Sequence, residues 1–280
     1  MSKIAIITGA SSGFGLLTTI ELAKKEYFVI ATMRNLNKQM ELLSQATALH
    51  LQKNIKIHQL DVTDQKSIHK FQLFLKELNR IDLLVNNAGY ASGGFIEEIS
   101  VGEYRRQFET NVFGAISITQ IVLPYMRKQK SGKIINVSSI SGQVGFPGLS
   151  PYVSSKYALE GWSESLRLEV KPFGIDVSLV EPGSYNTNIW EVEKELAENY
   201  SEATSPYKEY MDKIQDHINN GNDTFGNPID VAQKIVAIAE SKNTTLRYPI
   251  GKGVKLMMVA KKILPWRVWE FLVLRSFKKM

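Results

Sequence analysis

Thr8-Gly9-Ala10-Ser11-Ser12-Gly13-Phe14-Gly15 stands directly after the β-branched run Ile4 to Thr8 and directly before a helical pattern from about Leu16 to Lys25. Glycines at a strand-to-helix turn let the backbone approach a pyrophosphate, and the free N–H groups of the helix start favour that anion. The spacing is Gly-x-x-x-Gly-x-Gly rather than Gly-x-Gly-x-x-Gly, and no Lys-Ser/Thr follows to make a P-loop. Gly9, Ser11, Ser12, Gly13, Phe14 and Gly15 are the candidate phosphate-binding residues. Such a turn also serves tight packing, but here its position and both flanking elements agree with a nucleotide.

Outward from this turn, short apolar runs recur with helix-length gaps between them. They are Ile4 to Thr8, Phe28 to Thr32, Ile55 to Leu60, Leu83 to Asn86, Lys133 to Ser138, Asp176 to Glu181 and Leu246 to Ile250. Their order predicts an α/β fold, a doubly wound parallel seven-stranded sheet with helices on both faces, of the Rossmann type. The runs are apolar throughout rather than alternating, as strands covered on both faces require. One catalytic domain is expected over 1–251, interrupted at 184–226 by an aromatic and charged insertion too long for a plain loop, which reads as a substrate lid.

The second run ends Ala31-Thr32-Met33-Arg34-Asn35. An NAD site usually offers an acid here to the ribose 2′-hydroxyl. None is present, and Arg34 either grips a 2′-phosphate or is a solvated surface residue. The first reading predicts NADP, with NAD as the second choice.

Tyr152 and Lys156 lie four apart in Ser150-Pro151-Tyr152-Val153-Ser154-Ser155-Lys156, so on a helix they share one face. A tyrosine hydroxyl titrates near about 10, and a neighbouring ammonium joined by an oxidised nicotinamide would lower it toward neutral if water is excluded. Tyr152 then exchanges a proton with a carbonyl or alcohol oxygen. A Tyr-x-x-x-Lys pair on its own is common and weak.

The 280 residues contain no cysteine, which excludes disulfide frameworks, thiolate nucleophiles and Cys-type metal sites. His50, His58, His69 and His217 fall in no metal spacing and are read as surface residues, and no metal is expected. The net charge of +6 is unevenly placed: from Lys252 onward there are eight Lys/Arg and one acid, leaving 26 basic and 27 acidic groups of the totals of 34 and 28 for the rest. No signal peptide and no apolar stretch of spanning length is visible, so a cytoplasmic protein is expected, at most peripheral to a membrane.

The order of the motifs decides the matter. Thr8 to Gly15, Asn86-Asn87-Ala88-Gly89, Asn111, Ser139, Tyr152 with Lys156, and Pro182-Gly183 together closely resemble the short-chain dehydrogenases/reductases in their single-domain branch, over about Ser2 to Ile250. The resemblance implies Tyr152 as acid/base, Lys156 as the group that lowers its pKa and holds the nicotinamide ribose, and Ser139, rather than its neighbour Ser138, as the group polarising the substrate oxygen. It implies Asn111 as the holder of a proton-relay water and Asp61, with Val62 beside it, as the acceptor for the adenine amino group. Asn87, Ala88 and Gly89 would line the adenine ribose, and Pro182, Gly183 and Thr187 the nicotinamide. A homo-oligomer, dimer or tetramer, is expected, with no nucleic-acid partner.

The aromatic insertion, with Phe95, Val144 and Phe146, points to a hydrophobic alcohol or carbonyl substrate, and Asn87 to Glu98 looks similar to the hydroxysteroid and retinol dehydrogenase branch. The reading is an NADP(H)-dependent oxidoreductase. A nucleotide-sensing binding protein without chemistry, and an epimerase or dehydratase with tightly held NAD, are the rivals. The basic tail, 252–280, pairs Trp266, Trp269, Phe271 and Phe277 with its cations, and Pro265 starts a short amphipathic helix. Residues 264–280 meet an anionic membrane surface, or fold back over the pocket, or meet another subunit.

Overall fold

The computed structural model describes residues 2–185, 205–213 and 225–279. Seven strands form one sheet: β1 (Ile4–Ile7), β2 (Phe28–Met33), β3 (Ile55–Gln59), β4 (Leu83–Asn86), β5 (Gly132–Val137), β6 (Ile175–Pro182) and β7 (Arg247–Ile250). Their order is β3-β2-β1-β4-β5-β6-β7, all parallel, with Ile4 opposite Phe28 and Ala5 opposite Leu83. All seven expected strands are present, within two residues at either end. The order reverses between β1 and β4, and at such a switch the two loops leave toward opposite faces and open a crevice.

The helices are α1 (Gly13–Lys24), α2 (Met40–Ala48), α3 (Gln65–Leu75), α4 (Val101–Phe108), α5 (Ala115–Gln129), α6 (Ser150–Val170), α7 (Pro228–Glu240), α8 (Val254–Ile263) and α9 (Trp266–Lys279). Several starts are written locally. Asp64 accepts from the N–H groups of Lys66 and Ser67 ahead of α3, Ser100 and Glu103 form a reciprocal capping box on α4, and Asn227 precedes Pro228 at α7. Strand side chains on one sheet face pack with α1, α2 and α7, including Ile7, Val29, Leu16 and Ile235. Those on the other pack with α3, α5 and α6, including Ile6, Leu84, Phe71 and Ile118. Because every strand of the centre is sealed on both faces, polar chemistry is confined to the strand ends.

Three expectations are corrected. α1 begins at Gly13, three residues before Leu16, because the glycines of the turn are themselves its first turn. His58 is half-buried, its ring 4.6 Å from that of Phe74 and 5.1 Å from that of Phe71, so it packs as an aromatic rather than standing in water. The tail holds two helices, since the apolar run at Leu256 to Ala260 is the middle of α8. Of the expected insertion, 186–204 and 214–224, with Thr187, Trp190, Tyr200 and His217, lie outside the described residues.

Candidate active site

The floor of the crevice is a knot between the ends of β1 and β4. The Asn87 amide donates to the carbonyl oxygens of Thr8 and Gly9 at 2.9 and 3.0 Å. In return the Thr8 hydroxyl oxygen accepts from the backbone N–H groups of Asn87 and Ala88, both at 3.0 Å. Gly9 turns the chain at φ +68°, a left-handed conformation that favours glycine. A Cβ on Gly15 would stand 2.3 Å from the Gly9 carbonyl oxygen. Gly15 is therefore the contact that brings α1 against the turn, and it does not line the crevice.

Above this floor runs a cleft of about 1030 Å³, lined by the ends of six strands. That is the upper end of the roughly 300–1,000 Å³ of ligand sites, and it leaves room for more than one small molecule. At one end, after β2, lie Arg34, Asn35 and Lys38, with no carboxylate among them. Asp61 and Val62 follow β3 and line the same end. One Asp61 oxygen is taken by the Thr63 N–H and hydroxyl at 2.9 and 2.7 Å, which makes the residue a turn cap as well as a lining group. Ser11, Ser12, Gly13, Phe14, Ala88 and Gly89 form the middle, and Ser138, Ser139, Tyr152, Lys156, Pro182 and Gly183 the other end.

At that far end Tyr152 and Lys156 stand one turn apart on α6, both buried. Ser139 and Tyr152 are hydrogen-bonded through their side chains, and the Ser139 oxygen also accepts from the Ser141 N–H at 3.1 Å. Lys156 Nζ donates to the Val137 carbonyl at 2.9 Å and lies 5.6 Å from the Tyr152 ring centre. Burial pushes the Tyr152 hydroxyl up to about 12, opposed by its bond to Ser139. Burial also pushes the Lys156 ammonium down to about 8, opposed by the charge of Glu160 one turn further along α6. The expected lowering of the tyrosine is thus not a property of the protein alone: desolvation penalises the charged form of both groups. The Ser138 hydroxyl, also on the cleft, has no partner among the described residues.

Asn111 occupies a π-turn, Glu109–Gly114, between α4 and α5, a distortion that often marks functional sites. Its amide donates to the Tyr90 carbonyl at 3.0 Å and the Ser155 hydroxyl at 3.1 Å, and its oxygen accepts from the Tyr90 N–H at 3.1 Å. The side chain therefore ties the loop after β4 to α6 and does not reach the cleft.

A strand-to-helix glycine turn, an Asn-Ala-Gly loop knotted to it, and a Ser, Tyr and Lys group at the opposite end all sit on one switch point. The profile of the family described as short chain dehydrogenase matches residues 3–197. The chain belongs to that family. It is accordingly an NAD(P)-dependent short-chain oxidoreductase acting on CH–OH groups. It is 51% identical to an uncharacterized oxidoreductase, YusZ, of Bacillus subtilis, covering 96% of both chains. It is 35% identical to a 3-ketodihydrosphingosine reductase of Bacteroides thetaiotaomicron, covering 93% of this chain and 92% of that one. It is 36% identical to retinol dehydrogenase 8 of Homo sapiens, covering 88% and 80% respectively. A solved short-chain dehydrogenase of Streptomyces avermitilis superposes with a TM-score of 0.80 at 33% identity, over 93% of this chain and 92% of that one. ElxO with NADP bound superposes with 0.74 at 28%, over 91% and 100%.

The structure brings to this short-chain dehydrogenase site residues the sequence did not single out. Lys38 comes to the cleft on the short 3-10 turn Leu36–Gln39 that follows Arg34, with no motif to mark it. Val254, Met257 and Val273 join Trp269, which the sequence did mark, as one wall of the cleft, so the tail folds back over the pocket, as one reading of it expects; a Cβ on Gly183 would strike Val254 at 2.6 Å. Of the residues expected at the mouth, Phe146 lines the cleft, Val144 is buried under the tail, and Phe95 stacks on Tyr207 at 4.4 Å.

Behind Lys156 lies a second polar cluster with no motif to announce it. Glu160 and Glu181 are buried together, and Arg247 Nε reaches them at 2.9 and 3.7 Å. Burial, reinforced by the Glu160 charge, raises the Glu181 carboxyl to about 8, so it keeps its proton at neutral pH. The folded chain then holds a proton that the unfolded chain releases above its ordinary carboxyl pKa of 4.5. The contribution of this group to stability falls as pH rises between those two values, by up to about 1.4 kcal/mol per unit. Urea unfolding at pH 5, 6.5 and 8 should show this decline, and Glu181→Gln should flatten it; an equal slope in both proteins would refute the protonated carboxyl.

Proposed function

We propose that the protein is an NADP(H)-dependent oxidoreductase that interconverts a hydrophobic secondary alcohol and its ketone or aldehyde, with Tyr152 as the acid/base. The observation that carries this reading is the buried, hydrogen-bonded Ser139–Tyr152 pair with Lys156 one turn away, at the end of the cleft remote from Arg34 and Lys38. In the direction of reduction, a nicotinamide bound there would supply the hydride for the carbonyl carbon. Tyr152, held protonated by burial, donates its proton to the carbonyl oxygen, while the Ser139 hydroxyl donates a hydrogen bond to the same oxygen. Lys156 in its charged form stabilises the phenolate that results and holds the ribose hydroxyls beside it. Its charge is present below about pH 8 and lost above it, so turnover should fall through that range.

Ser11, Ser12 and Gly13 at the start of α1 would hold the pyrophosphate of a bound dinucleotide, and Arg34 and Lys38 would hold its 2′-phosphate. A segment after β2 that offers Arg34 and Lys38 and no carboxylate of its own favours the phosphorylated cofactor, and the NADP bound by ElxO is consistent with it. The apolar wall of Val254, Met257, Trp269 and Val273 supports a lipophilic substrate. So do the names of two relatives, a ketodihydrosphingosine reductase and a retinol dehydrogenase.

Tyr152→Phe keeps the shape of the ring and removes the proton, so kcat should fall by about 10² to 10⁴. NADPH binding, followed by its fluorescence, should be unchanged, and a variant retaining most of its turnover would refute the role. Arg34→Ala should raise the NADPH KM by about 10- to 100-fold, the value of a charge-assisted contact, and leave that for NADH alone. Equal effects on both cofactors would contradict the 2′-phosphate site.

A further inference from the structure

A helix on a globular surface carries one apolar stripe, toward the core. The two helices of the tail carry more. α8 turns Val254 and Met258 inward, against Ile140, Val144 and Trp269. A second row, Leu256, Val259 and Ile263 at i, i+3 and i+7, faces outward, and its first and last members are 74% and 73% exposed. α9 repeats the arrangement: Trp269 and Val273 pack inward, while Phe271 and Leu274, also apolar, are exposed. Cations stand around these rows. Lys255, Lys262, Arg267 and Arg275 are exposed, and Lys261 covers the Trp266 ring at 4.1 Å. Leu256, Met257 and Leu272 belong at once to this exposed surface and to the lining of the cleft, so the apolar surface is continuous with the pocket.

We infer that the outer face of α8 and α9 docks on an anionic phospholipid surface, with the substrate cleft opening toward the lipid. Apolar rows bordered by cations on a pair of short helices are what an interfacial segment requires: the apolar side chains enter the acyl boundary and the cations meet the head groups. Residues 252–280 carry eight basic groups against one acid, whereas the rest of the chain is close to neutral. A second copy of this face is a poor occupant, because a two-fold pair would oppose two such cationic segments. Given the hydrophobic substrate proposed above, the docking also delivers that substrate: a lipophilic carbonyl compound dissolved in the bilayer passes along Leu256, Met257 and Leu272 without crossing water.

The test is flotation of the full chain with vesicles of phosphatidylglycerol and phosphatidylcholine in equal parts, and with phosphatidylcholine alone. The protein should float with the anionic vesicles and be released by high salt. The combined variant Val259→Ser, Ile263→Ser, Phe271→Ser and Leu274→Ser should lose flotation while NADPH oxidation with a water-soluble carbonyl is unchanged. Lys255→Glu with Arg267→Glu leaves the apolar rows intact and should weaken binding by about tenfold or more. An intact protein that does not float, or floats equally on both vesicles, overturns the inference. So does a dimer in sedimentation velocity that the serine variant dissolves. Flotation without turnover would instead sink the enzymatic reading and leave the docking standing.

Discussion

Four hydrogen bonds between Thr8, Gly9, Asn87 and Ala88 hold the ends of β1 and β4 together at the point where the sheet reverses its winding. The rest of the site hangs on this knot. It fixes the glycine turn in its left-handed conformation, and that turn lets α1 approach until Gly15 touches the Gly9 carbonyl. It also sets the height of the Asn-Ala-Gly loop, which continues to Tyr90 and is fastened there to Asn111 and through it to α6. A chain of short polar contacts therefore runs from the glycine turn to the helix bearing Tyr152 and Lys156.

Burial does the electrostatic work at the far end, and it acts in opposite directions on two neighbours. It keeps the tyrosine protonated and drives the lysine toward losing its proton. Glu160 restrains the second tendency from one helical turn away. That carboxylate is itself held by Arg247 and Gln143, and it shares its pocket with the protonated Glu181 that leads into Pro182 and Gly183. The proposed proton donor thus rests on a charge balance that extends through α6, β6 and β7.

Much of this was legible in the sequence because it is local. Apolar runs at regular intervals located every strand, and the glycine spacing located the turn. The resemblance puts Ser139 and Tyr152 in one site, and the structure brings their side chains into contact. What remained hidden depends on long-range packing. Nothing near Glu181 announces Arg247, which comes from a strand more than sixty residues on. Nothing around His58 in the sequence marks the two phenylalanines its ring packs against. The sequence marks one helix beyond Pro265 and hides α8, whose lysines alternate with apolar residues on two faces and so blur the period. The sequence marks Asn111 and Gly15 but not their contacts, Asn111 with Tyr90 and Ser155 and Gly15 with the Gly9 carbonyl, which long-range packing decides.

The proposed reaction is transfer of a hydride in this cleft between a reduced nicotinamide and a lipophilic carbonyl compound. Mass spectrometry of the alcohol formed from NADPH carrying deuterium at C4 of the nicotinamide, with the label tried on each face in turn, tests it most directly. One face should deliver deuterium to the carbinol carbon and the other none. Product that carries no label from either face, or label from both alike, would contradict it.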